Sequence, residues 1–250
     1  MPKKQTKKML KILTSLFFPN TCPECKIIIC KDEVFCQKCL QKIKPIVSHF
    51  LSINQNYEMP VFALSAYKNP LKNLILKKSF NQSWASIKLA QIILQRLTIT
   101  LKRLEIDYIV PIPLHWTRYA SRGFNQSEIM AKVLSKKLGI PMLNALKRKK
   151  RTKYQSSLPV ELRAENLKDA FCLKTYSKFR LKIFLKKSRP ECKSKDTTFK
   201  KHDYLIILKN KNILLIDDLC TTGATLQNAA KVLVKFKPKS ISSVVVSRVI

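Results

Sequence analysis

Residues Asn212 to Phe236 read NILLIDDLCTTGATLQNAAKVLVKF. A short apolar run, Ile213 to Ile216, stops at two adjacent aspartates, Asp217 and Asp218. Thr221-Thr222-Gly223-Ala224-Thr225 follows, and apolar residues then recur at helical spacing from Thr225 to Phe236. The pattern is a buried strand, a hydroxyl-rich turn and a helix. In open α/β sheets ligands bind beyond the carboxyl ends of the strands, and the two aspartates stand at such an end. The start of the helix offers free N–H groups and a dipole that favours an anion. Gly223 lets the backbone approach a phosphate closely, and Thr221, Thr222 and Thr225 add hydroxyl donors. Phosphate donors on one side and carboxylate acceptors on the other match the polarity of a sugar phosphate. A helix cap needs only one carboxylate, so capping explains half of the pattern. Neither GxxxxGK[ST] nor GxGxxG occurs, and the chain has only 3 glycines, Gly123, Gly139 and Gly223.

The rest of the chain supports an α/β fold. Asn56 to Ala66 and Ile106 to Val110 read as strands, the second ended by Pro111. Trp84 to Leu104 reads as a helix. Gln126 to Leu138 is helical by its spacing, with Ile129, Val133, Leu134 and Leu138 on one face, and Gly139 and Pro141 stop it. Ile241 to Val246 is a final strand. Strands alternating with helices imply a parallel twisted sheet with flanking helices on both faces. Residues 147–169 are polar and basic and read as a loop with some helix. Residues 174–211 are lysine-rich, with apolar patches at Phe184–Leu185 and Leu205–Leu208, and read as a basic insertion, either a hairpin or a partly disordered arm.

The N-terminal part is built differently. Cys22, Cys25, Cys36 and Cys39 form a CxxC–x10–CxxC array, with Cys30 as a spare. Two such knuckles supply four thiolates at a spacing that suits zinc. Disulfides would need a secreted chain, and a redox CxxC would need one motif rather than two. A closed four-cysteine site has no open coordination position, so the metal stabilises and does no chemistry. Residues 1–45 thus read as a basic N-terminal helix and a four-cysteine zinc ribbon, and 46–250 as the α/β domain. Cys220, beside the aspartates, has no histidine near it in sequence and reads as a small buried side chain.

The net charge is +34 over 250 residues. It has two readings: a lysine-rich composition spread along the chain, or a polyanion partner such as nucleic acid or a phosphorylated ligand. No stretch is long and apolar enough to span a membrane. Met9 to Pro19 is short and is interrupted by Lys11, so it reads as an amphipathic helix and the protein as cytoplasmic.

LLIDDLCTTGAT resembles the 5-phosphoribosyl-1-pyrophosphate (PRPP) binding motif of type I phosphoribosyltransferases. DYIVPIPLHWTRYASRGFNQSEIMA, Asp107 to Ala131, is similar to the PVPLH…R…RGFNQ signature of the ComF/ComFC competence family. RKKRTKYQSSLPVELRAENLKDAF, Arg148 to Phe171, resembles a further segment of that family, and the double CxxC is expected there too.

The resemblance implies roles for named residues. Asp217 and Asp218 would hold the ribose 2′- and 3′-hydroxyls of PRPP. Thr221, Thr222, Gly223, Ala224 and Thr225 would wrap its 5′-phosphate. Arg118 and Arg122 would lie near the pyrophosphate, where the arginine fork bonds oxygens in pairs. Lys77, with Lys78 as a rival, resembles a lysine that the family places after its first strand. Residues 148–166, with Arg151, Gln155, Arg163 and Asn166, would close over bound PRPP and exclude water. Magnesium would bridge the pyrophosphate and the ribose hydroxyls. His115 is a candidate general base, with Glu128 and Asp169 behind it, and it serves equally as a packed loop residue.

Two classes of function follow. One is a PRPP-dependent transferase with an unidentified acceptor. The other is a non-catalytic protein on the same fold that binds single-stranded DNA during uptake and passes it to recombination proteins, or that senses PRPP. Trp84, Trp116, Tyr119, Phe124 and Tyr154 are available for base stacking, and each serves equally in packing.

Overall fold

The computed structural model describes residues 20–30, 33–77, 83–149, 170–177, 198–199 and 201–249. The first described helix is α1, Gln37–Gln41. A pair of strands follows, β1 (Ile46–Asn54) and β2 (Tyr57–Ala66), then helices α2 (Leu71–Lys77) and α3 (Ser83–Arg103). Strand β3 (Tyr108–Pro111) leads into α4 (Trp116–Arg122) and α5 (Gln126–Leu138). Short strands β4 (Leu146–Arg148), β5 (Phe171–Leu173), β6 (Tyr176–Ser177) and β7 (Thr198–Phe199) come next. The chain ends on α6 (Lys201–Leu208), β8 (Asn212–Cys220), α7 (Ala224–Val234) and β9 (Ser240–Arg248).

The five-stranded sheet has the order β1-β2-β9-β8-β3. β2, β9, β8 and β3 are parallel, and β1 pairs antiparallel with β2 at one edge. Burial explains the apolar runs. Ile213 and Leu215 face a core shared with α7 and α6, whereas Leu214 and Ile216 face one shared with α3 and α5. A strand covered on both faces has no solvent side, so it shows a continuous apolar run rather than alternation. Each of these side chains contributes roughly 1.5–3 kcal/mol by leaving water.

β8 is longer than its apolar run. Pairing with β9 continues through Asp217↔Val245, Leu219↔Ser247 and Cys220↔Arg248. Ladder hydrogen bonds are made by backbone, so a strand outlasts the residues that bury it. α5 has the limits its spacing predicts. Asn125 caps its start and Gly139, at φ +72°, ends it.

Within 174–211 the described residues show pairing and packing. β6 and β7 pair antiparallel, as the arms of a hairpin do. α6 buries Tyr204, Ile207 and Leu208, and the rings of Tyr204 and Phe236 lie 6.1 Å apart. The Leu205–Leu208 patch is therefore split: Leu208 is core, while Leu205 is partly exposed. Phe184–Leu185 and the expected N-terminal basic helix lie outside the described residues.

The cysteine-rich segment is seated on the sheet's α3 side. Cys22, Val34, Phe35 and Ile43 share one apolar cluster with Leu71, Leu74, Leu89 and Ile92. Lys88 Nζ donates to the Glu33 carbonyl at 3.1 Å, Asn73 Nδ2 to Glu24 Oε2 at 3.0 Å, and Arg96 to the Leu40 carbonyl. No helix among the described residues is long and apolar enough to cross a membrane.

Candidate functional site

After β3 the chain turns to α5, which buries Met130, Ala131 and Leu134 on the α3 side. After β8 it turns to α7, which buries Leu226, Ala229, Ala230 and Leu233 on the other side. β3 and β8 are neighbours, so their continuations part to opposite faces and open a crevice at the carboxyl ends. This is the topological switch point at which open α/β sheets bind ligands.

Asp217 and Asp218 occupy the β8 wall of the crevice and are half-buried. Asp217 Oδ1 accepts from the Asp218 N–H at 2.9 Å and from Ser127 Oγ at 3.0 Å. Ser127 lies in the first turn of α5, so that bond crosses from one wall to the other. Asn125 supports it: its Oδ1 accepts from the Ser127 N–H at 3.2 Å, and its Nδ2 donates to the Ile112 carbonyl at 3.0 Å.

The turn after β8 brings Thr221 to Thr225 to the start of α7. Gly223 is the cap residue at φ +80°, in the left-handed region where a side chain is strained, and no side chain caps the helix. Thr222 Oγ1 lies 3.5 Å from the Ala224 N–H, at the limit of a hydrogen bond. Ala224 is buried, so only its backbone can meet a ligand. A helix start capped by glycine alone suits an anion.

Cys220 is buried at the same end. Burial, followed by the Asp217 carboxylate, pushes its thiol up to about 11, with Arg248 opposing. Its burial and raised value suit a packed thiol rather than a nucleophile.

On the β3 side His115 is buried and caps α4. Its Nδ1 lies 2.9 Å from Thr117 Oγ1 and 3.4 Å from the Thr117 N–H. The structure thus gives the ring a local role as well as a place in the crevice wall. α4 itself buries no residue. Arg118 and Arg122 are half-buried on one side of it, and Trp116 and Tyr119 are exposed on the other.

The sequence places Arg148 at the start of the 148–166 stretch expected to close over PRPP; in the structure it ends β4 and is 6% exposed. Burial lowers its guanidinium to about 10, with the charge of Arg118 adding to the fall and Asp217 opposing it. Arg148 therefore sits within electrostatic reach of both walls, and it remains charged at neutral pH. Its guanidinium lies 5.5 Å from the centre of the Phe171 ring. Sequence reasoning missed Ser127 and Asn125. Nothing local in the sequence points from them to Asp217, 90 residues away.

The remaining predicted residues are placed differently. Lys77 is the last residue of α2. Lys78, Arg151, Gln155, Arg163, Asn166 and Asp169 lie outside the described residues. Glu128 pairs with Lys132 at 2.8 Å on the surface of α5. A cleft of about 960 Å³ opens elsewhere, lined by Phe171, Leu173, Tyr204, Lys231, Val232 and Phe236 among others, and none of the predicted site residues that are described lines it.

The second centre is the cysteine cluster. The four Sγ atoms of Cys22, Cys25, Cys36 and Cys39 lie within 4.8 Å of one another. A tetrahedral zinc with Zn–S of about 2.3 Å needs sulfur atoms about 3.8 Å apart, and Cys25 and Cys36 Sγ are 3.5 Å apart. Burial and the three neighbouring sulfurs push the Cys39 thiol up to about 12. Four thiolates at this spacing repel each other unless a cation joins them, so the donor set fits zinc. Cys30 is exposed and outside the cluster.

Comparison with known proteins agrees with this geometry. Residues 124–249 match the family described as the phosphoribosyl transferase domain. The chain is 28% identical over 247 residues to Competence protein F of Haemophilus influenzae, covering 90% of this chain and 95% of that protein. It is 25% identical over 221 residues to the DNA utilization protein YhgH of Salmonella typhimurium, and equally so to that of Escherichia coli K12. Those matches cover 86% of this chain and 78% of each relative.

Proposed function

The chain belongs to the phosphoribosyl transferase domain family, and on that premise we propose that it binds PRPP with magnesium in the β3–β8 crevice and acts in DNA uptake. The observation that carries the ligand is the acidic pair at the carboxyl end of β8, followed by a glycine-capped helix start. Asp217 and Asp218 accept from the ribose hydroxyls, and the turn from Thr221 to Thr225 donates to the 5′-phosphate. Arg118, Arg122 and Arg148 meet the pyrophosphate, with Lys77, Arg151 and Arg163 as further contributors. When bound with PRPP, magnesium would supply positive charge at the leaving pyrophosphate. The transfer forms a bond from an acceptor to C1 of the ribose and breaks the bond to pyrophosphate. The names of the relatives, competence and DNA utilization, carry the physiological part of the proposal. The cysteine cluster binds a structural zinc, and the protein works in the cytoplasm.

Calorimetric titration of PRPP and magnesium into zinc-loaded protein tests this, beside the Asp217→Ala/Asp218→Ala double variant. Binding that vanishes in the variant supports the reading. A folded wild-type protein that binds no PRPP ends it.

A second reading has its own support. The net charge is +34, and Trp116 and Tyr119 are 72% and 50% exposed on α4. These suit single-stranded DNA on a non-catalytic or PRPP-sensing protein, through phosphate contacts and stacked bases. DNA affinity that falls steeply with salt and drops on Trp116→Ala supports it. PRPP turnover with an acceptor argues against it.

A further inference from the structure

The FNQS stretch, Phe124 to Ser127, was singled out in the sequence, yet nothing in the phosphoribosyl reaction assigns it work. We propose that Asn125 and Ser127 are positioning residues: from the β3 wall they hold the Asp217 carboxylate in the orientation that receives the ribose. The inference rests on the PRPP reading and adds to it which residues make the acidic pair competent.

The geometry carries it. Ser127 opens α5, which packs on the Leu214 and Ile216 face of β8, so packing brings the helix start beside Asp217. A chain of hydrogen bonds then fixes the side chains. The Ile112 carbonyl, just past β3, accepts from Asn125 Nδ2, Asn125 Oδ1 accepts from the Ser127 N–H, and Ser127 Oγ donates to Asp217 Oδ1. Asn125 and Ser127 are 7% and 3% exposed, so water does not compete with these bonds. The Asp218 N–H donates to the same Asp217 oxygen. Two donors on one oxygen fix the plane of the carboxylate as well as its place. A carboxylate held this way meets a ribose hydroxyl without first losing rotamer freedom, and that is the gain of a preorganised site. An ordinary cap needs only Asn125 Oδ1. The Nδ2 bond to Ile112 and the Ser127 hydroxyl go beyond capping.

The test compares Ser127→Thr with Ser127→Val, which share a shape and differ in the hydroxyl. PRPP–magnesium affinity is measured by calorimetry and thermal unfolding is followed in parallel. Hydrogen bonds to charged groups are worth enough that Ser127→Val is expected to bind about 10-fold more weakly than Ser127→Thr, with only a modest fall in unfolding temperature. Ser127→Ala is expected to match Ser127→Val, which covers the case in which the extra methyl disturbs both larger variants. Equal affinity in Ser127→Ala and wild type, where wild-type binding depends on Asp217 and Asp218, overturns the inference and leaves the PRPP reading standing. A loss of unfolding temperature in Ser127→Ala with no loss of affinity makes the role structural and also overturns it. Absence of PRPP binding in the wild-type protein removes both.

Discussion

A Cβ on Gly223 would lie 2.6 Å from Leu51 Cδ2 and 2.7 Å from Leu51 Cδ1. The edge strand β1 thus presses a side chain against the turn that starts α7. Gln227 Nε2 reinforces the contact by donating to the Ser52 carbonyl at 3.0 Å. Gly223 is needed twice here, for its φ of +80° and for the space. Gly223→Ala is expected to cost about 1–2 kcal/mol from the backbone alone, and more from the clash. Adding Leu51→Ala should relieve the clash and leave the backbone cost, against a cavity penalty of its own. Thermal unfolding of the two single variants and the double variant measures this, and strictly additive effects would contradict it.

Arg148 is buried within electrostatic reach of two charged groups, Arg118 and Asp217. Arg148→Lys keeps the charge and loses the planar fork, so PRPP–magnesium affinity is expected to fall about 10-fold. Burial lowers Arg148 to about 10, so it stays charged below that pH. The same burial acts on a lysine, whose ordinary value is lower, so the deficit of the lysine variant should hold or widen as the pH rises from 7 to 8.5. A deficit that closes over this range would contradict the assignment.

Removal of metal from the four-cysteine cluster is expected to lower the stability of the whole protein in one transition. Cys22 and Cys39 share an apolar cluster with α3 and the sheet, so the module does not melt alone. Zinc requires thiolates, and protons compete for them. The Cys39 thiol is pushed up to about 12 without metal, so zinc affinity falls as the pH falls. Bound zinc measured by elemental analysis, at about one per chain in wild type and absent in Cys39→Ser, checks the site. Release during acidification from pH 7 to 5 checks the sign.

Thiol labelling separates Cys220 from Cys30. Cys220 is 2% exposed and its thiol is raised to about 11, chiefly by burial. Cys30 is exposed and outside the cluster. Iodoacetamide at pH 7.5 is expected to modify Cys30 and spare Cys220 in the folded, zinc-loaded protein. Rapid modification of Cys220 would reopen its reading as a nucleophile.

The ends of α5 were legible in the sequence because its signals are local: the apolar spacing from Gln126 to Leu138, and Gly139 and Pro141 after it. The end of β8 was not. Its apolar run stops at Ile216, but backbone pairing with β9 carries the strand to Cys220. The antiparallel edge strand β1 was equally hidden, since a pairing partner has no signature in the strand itself. Arg148 was read only as part of the closing stretch 148–166, because its neighbours Arg118 and Asp217 are distant in the chain.

The sequence by itself determined the chemistry on offer: two carboxylates at a strand end, a glycine and hydroxyls before a helix, and four cysteines in two knuckles. Each is a short pattern whose spacing is set by helix, strand or turn geometry, and such spacing is readable from residues in a row. Only the tertiary structure decided what these groups face. It set Ser127 against Asp217, Leu51 against Gly223 and the cysteine module against α3. Those contacts join residues far apart in the chain, and they exist because burying both faces of one sheet leaves few ways to fold the connections over it.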